Sequence, residues 1–154
     1  MPLYIVATPI GNLDDITFRA IEILKTVDVI LAEDTRHSKR LLSHYDISTP
    51  MRAFHEHNET QKSIEVINDL LAGKNMALIS DAGTPLISDP GYVLVSEAKR
   101  AGVKVIPVPG PSAIISALSV SGLASDSFSF SGFLPSKKTA RLKTIQTSAH
   151  LDET

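Results

Sequence analysis

A chain of 154 residues and 16.6 kDa has room for one ordinary domain with a sizeable core and is short for two. Its 43% hydrophobic and 21% charged residues are globular proportions, and 15 Lys and Arg against 17 Asp and Glu exclude wholesale electrostatic capture by nucleic acid, though not a local basic patch. The absence of cysteine excludes a disulfide scaffold, a thiolate zinc site and a cysteine nucleophile, and no run approaches the ~20 apolar residues of a membrane span.

The apolar opening, Met1 to Pro9, is too short for a signal peptide, so the expectation is a cytoplasmic protein with no membrane contact, in which the Asn58-Glu59-Thr60 sequon has no consequence. Short runs rich in β-branched residues predict strands over Leu3 to Ala7, Val27 to Ala32, Met51 to Phe54, Met76 to Ser80 and Val103 to Val108. Between them lie helical patterns. The first starts at Asp14-Asp15 and carries Ile16, Ala20, Ile23, Leu24 and Val27 at helical spacing. The second covers about Arg36 to Tyr45. The third opens with Asn58 and Gln61 in a capping-box pattern and closes at Gly73. The fourth follows Asp89-Pro90, a cap with proline at the first helical position, and closes at Gly102; the fifth runs from Pro111 to Gly122. This alternation predicts an α/β fold, an open, mainly parallel five-stranded sheet with helices on both faces; strand order does not follow from the pattern. Residues 1–124 make this domain. Residues 125–154 read as an extended strand or linker (Ser125 to Phe133, with Phe128 and Phe130 alternating with serine) and then a basic run without a clear further element.

In an open parallel sheet, ligands sit at the carboxyl ends of strands. Three loops there are rich in turn residues: Thr8 to Asp15, Ser80 to Gly91 and Pro107 to Ala113. Small residues let a ligand approach the backbone, and helix starts offer unpaired N–H groups. No GxxxxGK[ST] occurs, and no GxGxxG follows the first strand, so neither a P-loop nor the usual dinucleotide fingerprint is present. A fourth loop, Glu33 to Arg40, joins two carboxylates and His37 to Arg36, Lys39 and Arg40 at a helix start. Cations there oppose the helix dipole, which points to a nearby anion such as phosphate. His55-Glu56-His57-Asn58 lacks a third ligand, so no metal is expected and a polar loop facing substrate or solvent is. His44 and His150 read as solvated helix positions.

The phrases Tyr4 to Leu13, Ala32 to His37, Ser80 to Gly91 and Pro107 to Ala113 closely resemble the tetrapyrrole methylase superfamily, and within it the branch that methylates ribosomal RNA; the likeness runs from Leu3 to about Arg141. The resemblance implies S-adenosylmethionine as cofactor and 2′-O-methylation of a cytidine in small-subunit ribosomal RNA, with that RNA or the assembled small subunit as partner, and a homodimer. By the same match Ile10, Gly11, Ala82, Gly83, Thr84, Ile87, Ser112 and Ala113 would touch the cofactor. Thr84 stands where the tetrapyrrole enzymes have an acid, a contact that Asp81 could supply instead, and Pro9 stands where they have glycine; both departures fit the RNA branch. The family has two α/β domains, and Gly132-Phe133-Leu134-Pro135 resembles the hinge between them, so the chain is expected to be the N-terminal domain and inactive alone.

On that resemblance, Asp34 or His37 would take the hydroxyl proton, and Arg36 would hold the adjacent phosphate, completing the catalytic set Asp34, Arg36 and His37. RNA phosphates would be met by Arg36, Lys39 and Arg40 and by the cluster Lys137, Lys138, Arg141 and Lys143. Two other readings remain: a tetrapyrrole-type small-molecule methylase, against which Thr84 and the Glu33 to His37 phrase count, and a non-catalytic module binding cofactor or RNA.

Overall fold

The computed structural model describes residues 1–149 and 154, so His150 lies outside the described residues. The chain forms two compact units, Met1–Ser112 and Ala113–Thr154; the boundary expected after residue 124 falls inside the second.

The first unit holds five strands, β1 (Leu3–Val6), β2 (Val29–Ala32), β3 (Met51–Ala53), β4 (Met76–Ile79) and β5 (Val105–Val108). They form an all-parallel sheet in the order β3-β2-β4-β1-β5. The helices are α1 (Phe18–Thr26), α2 (Thr35–His44), α3 (Glu59–Leu71) and α4 (Tyr92–Arg100). Successive side chains on a strand point to opposite faces, and the two cores divide accordingly. Ile30, Ala32, Ala77 and Ile79 pack with Ala20 and Leu24 of α1 and Leu41 and Leu42 of α2. Val29, Leu31, Met76 and Leu78 pack with Val66 and Leu70 of α3 and Leu94 and Ala98 of α4. This double coverage explains why β2 and β4 are apolar at every position.

The order also explains the site. The connections β1→β2 and β2→β3 travel one way across the sheet and β3→β4 and β4→β5 the other, so the loop after β4 leads to the opposite face from the loops after its neighbours β2 and β1. Such a switch point opens a crevice at the carboxyl edge.

Three helix starts differ from their sequence signals. Asp14-Asp15 belong to a single 3-10 turn, capped by Asn12 Oδ1 accepting from Asp14 N at 3.2 Å; α1 begins later, where Thr17 Oγ1 accepts from Ala20 N at 3.1 Å. Asn58 makes no capping box, because its Oδ1 turns back to accept from His55 N at 3.0 Å. Asp89-Pro90 precede α4 by a turn, and Gly91, with φ +129°, takes the cap position.

The second unit contains α5 (Ala113–Ser121) and α6 (Lys138–Ser148), neither with a buried residue. Ser125 to Phe133 is linker rather than strand. Helix α6 escaped the sequence reading because only Leu142 and Ile145 offer an apolar repeat on its flank, and both remain about half exposed.

Candidate functional site

The carboxyl ends of β1 and β4 are tied together backbone to backbone. Thr8 N donates to Gly83 O at 2.9 Å and Gly83 N to Thr8 O at 3.0 Å, while the buried Thr8 hydroxyl donates to Ser80 O at 3.1 Å. Gly83 has φ +80°, a conformation that L side chains rarely adopt. Beyond it, Leu86 and Ser88 are also left-handed, at φ +75° and +61°. Two such non-glycine residues in one loop store of order 1–3 kcal/mol each, and persist only where surrounding structure enforces them.

Beside this seam lies a cavity of about 250 Å³. One wall is Thr8, Pro9, Ile10, Gly11 and Leu13, a second is Ser80, Asp81 and Ala82, and the third is His37, Ser38, Arg40 and Leu41 from α2. The structure therefore gathers Ile10, Gly11, Asp81, Ala82, His37 and Arg40 around one space. Gly83, Thr84 and Ile87 lie outside its lining: Gly83 is buried in the seam, Thr84 Oγ1 donates to Pro111 O at 3.5 Å, and Ile87 is half exposed. Ser112 closes the first unit and Ala113 opens the second.

At the start of α2 the positive end is already answered from within. Asp34 Oδ1 accepts from Arg36 N at 2.8 Å and His37 N at 3.4 Å, and its Oδ2 lies 3.4 Å from the guanidinium of the largely exposed Arg36. The backbone hydrogen bond from Arg36, followed by that from its side chain, holds the Asp34 carboxyl below its ordinary range. The conflict with the dipole read from the sequence is thus relieved by Asp34, so it does not by itself require an external phosphate. Lys39 and Arg40 make no ion pair among the described residues. Lys137 caps α6 and Lys138, Arg141 and Lys143 lie along it, all exposed and in the second unit.

Asp81 Oδ1 accepts from Asp34 N at 3.2 Å, joining the ends of β4 and β2. Carboxylates crowd here. Burial, then Asp81 and Asp89, push the Glu33 carboxyl above its ordinary 4.5, against the pull of His55. Burial is also the main cause that raises Asp89. A group whose folded value lies above its unfolded one destabilises the fold as pH rises through that interval, because the native state holds the proton more tightly. Glu33→Gln is therefore expected to melt above the parent at pH 7, with the gap closing toward pH 4, as thermal unfolding at the two pH values measures.

The sequence reading missed Ser38 and Leu41 as cavity walls. Ser38 is buried, and its Oγ has no hydrogen-bond partner among the described residues. Leu41, four residues after His37 and three after Ser38, carried the available signal of a shared helix face. It also missed Glu59, whose Oε1 accepts from Gly91 N at 3.0 Å, Val93 N at 2.8 Å and Leu94 N at 3.4 Å. Among the described residues, no helix is long and apolar enough to cross a membrane, and no group of three or more His, Asp or Glu is arranged to hold a metal.

Comparison with known proteins places these features in context. The family described as Tetrapyrrole (Corrin/Porphyrin) Methylases matches residues 2–152. A protein of Vibrio cholerae named ribosomal RNA small subunit methyltransferase I is 63% identical over 90% of this chain and 48% of its own length. The protein of the same name from Escherichia coli O157:H7 is 56% identical over 94% of this chain and 51% of its own. The chain thus spans about half the length of the curated relatives it matches. Among solved structures, uroporphyrin-III-C-methyltransferase from Thermus thermophilus shares the fold with a TM-score of 0.61, at 23% identity over 80% of this chain and 52% of that one.

Proposed function

The chain belongs to the tetrapyrrole methylase family, and on that premise we propose that it is the N-terminal half of an S-adenosylmethionine-dependent enzyme that methylates the 2′-hydroxyl of a cytidine in small-subunit ribosomal RNA. The observation that carries this reading is the cavity in which the small-residue turns after β1 and β4 meet the basic first turns of α2. The name shared by the relatives supports the RNA substrate over a tetrapyrrole. In this reading the enzyme acts in the cytoplasm on the assembled small subunit or its RNA. Residues 1–124 bind cofactor and substrate, and 125–154 lead into the second domain. A homodimer belongs to the same reading.

The residues present fit the cofactor. A Cβ built on Gly11 meets nothing within 4 Å, so the fold leaves open space at the cavity edge that a ligand can use. Ile10, Gly11, Asp81, Ala82, Gly83, Thr84, Ile87, Ser112 and Ala113 would hold it through backbone and small side chains. When bound, S-adenosylmethionine supplies an electrophilic methyl group on a sulfonium. The chain's own task is then to position the ribose hydroxyl and take its proton. Asp34 is a weak base, since its carboxylate is stabilised by the α2 amides it caps. His37 lines the cavity and is the residue to which the proton goes. Asp34 orients that turn, and Arg36 and Arg40 hold the flanking phosphates.

The test is transfer of a tritiated methyl group to small subunits lacking the modification, using this half joined to its second domain, with the product mapped to a 2′-O-methylcytidine. Label in a tetrapyrrole and none in RNA would favour the small-molecule alternative. Binding without transfer to either would favour a non-catalytic module. RNA contact has its own signature. Neutralising Lys39, Arg40, Lys138 or Arg141 singly should lower the slope of log affinity against log salt by about one unit each, whereas solvated side chains would leave it unchanged.

A further inference from the structure

We propose that Glu59 is a positioning residue for the cofactor: by gathering three backbone amides at the start of α4, it fixes the loop 80–91 that follows β4. The inference rests on the reading of that loop as cofactor-binding and adds a residue from a different element to it. Glu59 is the first residue of α3, on the far side of the β3 turn from the loop it holds, and it is only 8% exposed. A buried carboxylate is costly unless hydrogen-bonded. Here one oxygen accepts from Gly91, Val93 and Leu94 at 2.8–3.4 Å, and its negative charge lies at the positive end of α4. No side chain of α4's own cap does this, because the cap residue is Gly91.

The grip reaches Thr84 and Ile87, which the proposed function assigns to the cofactor, through packing. A Cβ on Gly91 would lie 2.7 Å from Leu78 Cδ2 and 3.1 Å from Leu86 Cδ1, so the Gly91 backbone is seated against the end of β4 and against Leu86. Leu86 is left-handed at φ +75° and sits between Pro85 and Ile87, inside a turn that Ile87 N closes by donating to Thr84 O at 3.4 Å. A loop with left-handed Leu86 and Ser88 needs a fixed end to hold its shape. Glu59 supplies that end, and this gives the otherwise unexplained His55 to Glu59 segment its task. His55 N and the Asn58 side chain close the turn that delivers the carboxylate.

The test is an NMR titration with S-adenosylmethionine of this half joined to its second domain, with amide exchange and thermal unfolding, on the parent and on Glu59→Ala, Glu59→Asp and Glu59→Gln. Glu59→Ala should speed exchange at Gly91, Val93 and Leu94 and raise the Kd about tenfold, the loss expected when bonds to a charged acceptor no longer hold the loop. Aspartate is one methylene short and should fall in between. Glutamine keeps the length and an accepting oxygen, and should stay within about threefold of the parent. Leu70→Val, which loosens the same core away from the loop, should lower the Tm and leave Kd unchanged. If Glu59→Ala does not fold, the order of Asp and Gln decides. Folded variants that lose thermal stability but bind as tightly as the parent overturn the proposal while leaving the cofactor reading intact. A parent that shows no loop response to S-adenosylmethionine overturns that reading, and the inference with it.

Discussion

Gly11→Val is expected to remove S-adenosylmethionine binding and leave the fold standing. Position 11 has ordinary backbone geometry, and an added Cβ meets no atom within 4 Å, so nothing in the folded protein demands glycine there. The cost to stability should stay within about 0.5 kcal/mol, as for surface positions in general. The side chain would stand in open space at the lip of the cavity that Gly11 lines. Losing two or three ligand contacts of about 1 kcal/mol each corresponds to a ~30- to 150-fold weaker Kd. Calorimetric titration beside a thermal melt reads both quantities. Gly83 is a contrasting control. Its φ of +80° and its paired bonds to Thr8 mean that even Gly83→Ala should cost roughly 1–2 kcal/mol and lower the Tm. A Gly11→Val protein that is folded and binds normally would remove the cofactor from this turn.

The second large effect is expected at His37. Replacing it by glutamine keeps a polar side chain of similar reach but removes the proton acceptor, and the rate of methyl transfer to the small subunit should fall ~10²- to 10⁴-fold. RNA affinity should be nearly unchanged, since the phosphate contacts belong to the neighbouring cations. Asp34→Asn should do less: the amide oxygen still accepts from the Arg36 and His37 backbone, although the ion pair with Arg36 is lost. If Asp34→Asn abolished turnover and His37→Gln spared it, the two roles would be exchanged.

The strands were legible because a strand buried on both faces must be apolar at every position, as Val29–Ala32 and Met76–Ile79 are. Glycine and proline marked the loops at the carboxyl edge for an equally local reason. What the sequence did not reveal was tertiary. The convergence of Ile10, Asp81 and His37 depends on β4 lying between β2 and β1, an order that no pattern of apolar residues encodes. Capping signals misled where a stronger partner existed. Asn58 serves the turn before it, and the α4 amides are satisfied by Glu59 from another helix rather than by Asp89. The basic residues of α2 suggested a bound anion, but the helix start is answered by Asp34, which also pairs with Arg36 two residues on in the chain.

The interior place of β1, with a partner on each side, has a consequence for how the protein is made. Leu3–Val6 precede both of their partners in the chain, pairing on one side with Met76–Ile79 and on the other with Val105–Val108. At ~5–20 residues per second, β1 waits about 5–20 s after its own synthesis for its second neighbour. Loop-closure entropy must be met before either long-range pairing yields its gain, which places this topology among the slower folders for its size. Until then the nascent chain exposes an apolar strand with both hydrogen-bonding edges open, the state in which one unfinished copy can pair with another on the same message. The share of protein that reaches its native form then depends on how long that strand stays unpaired.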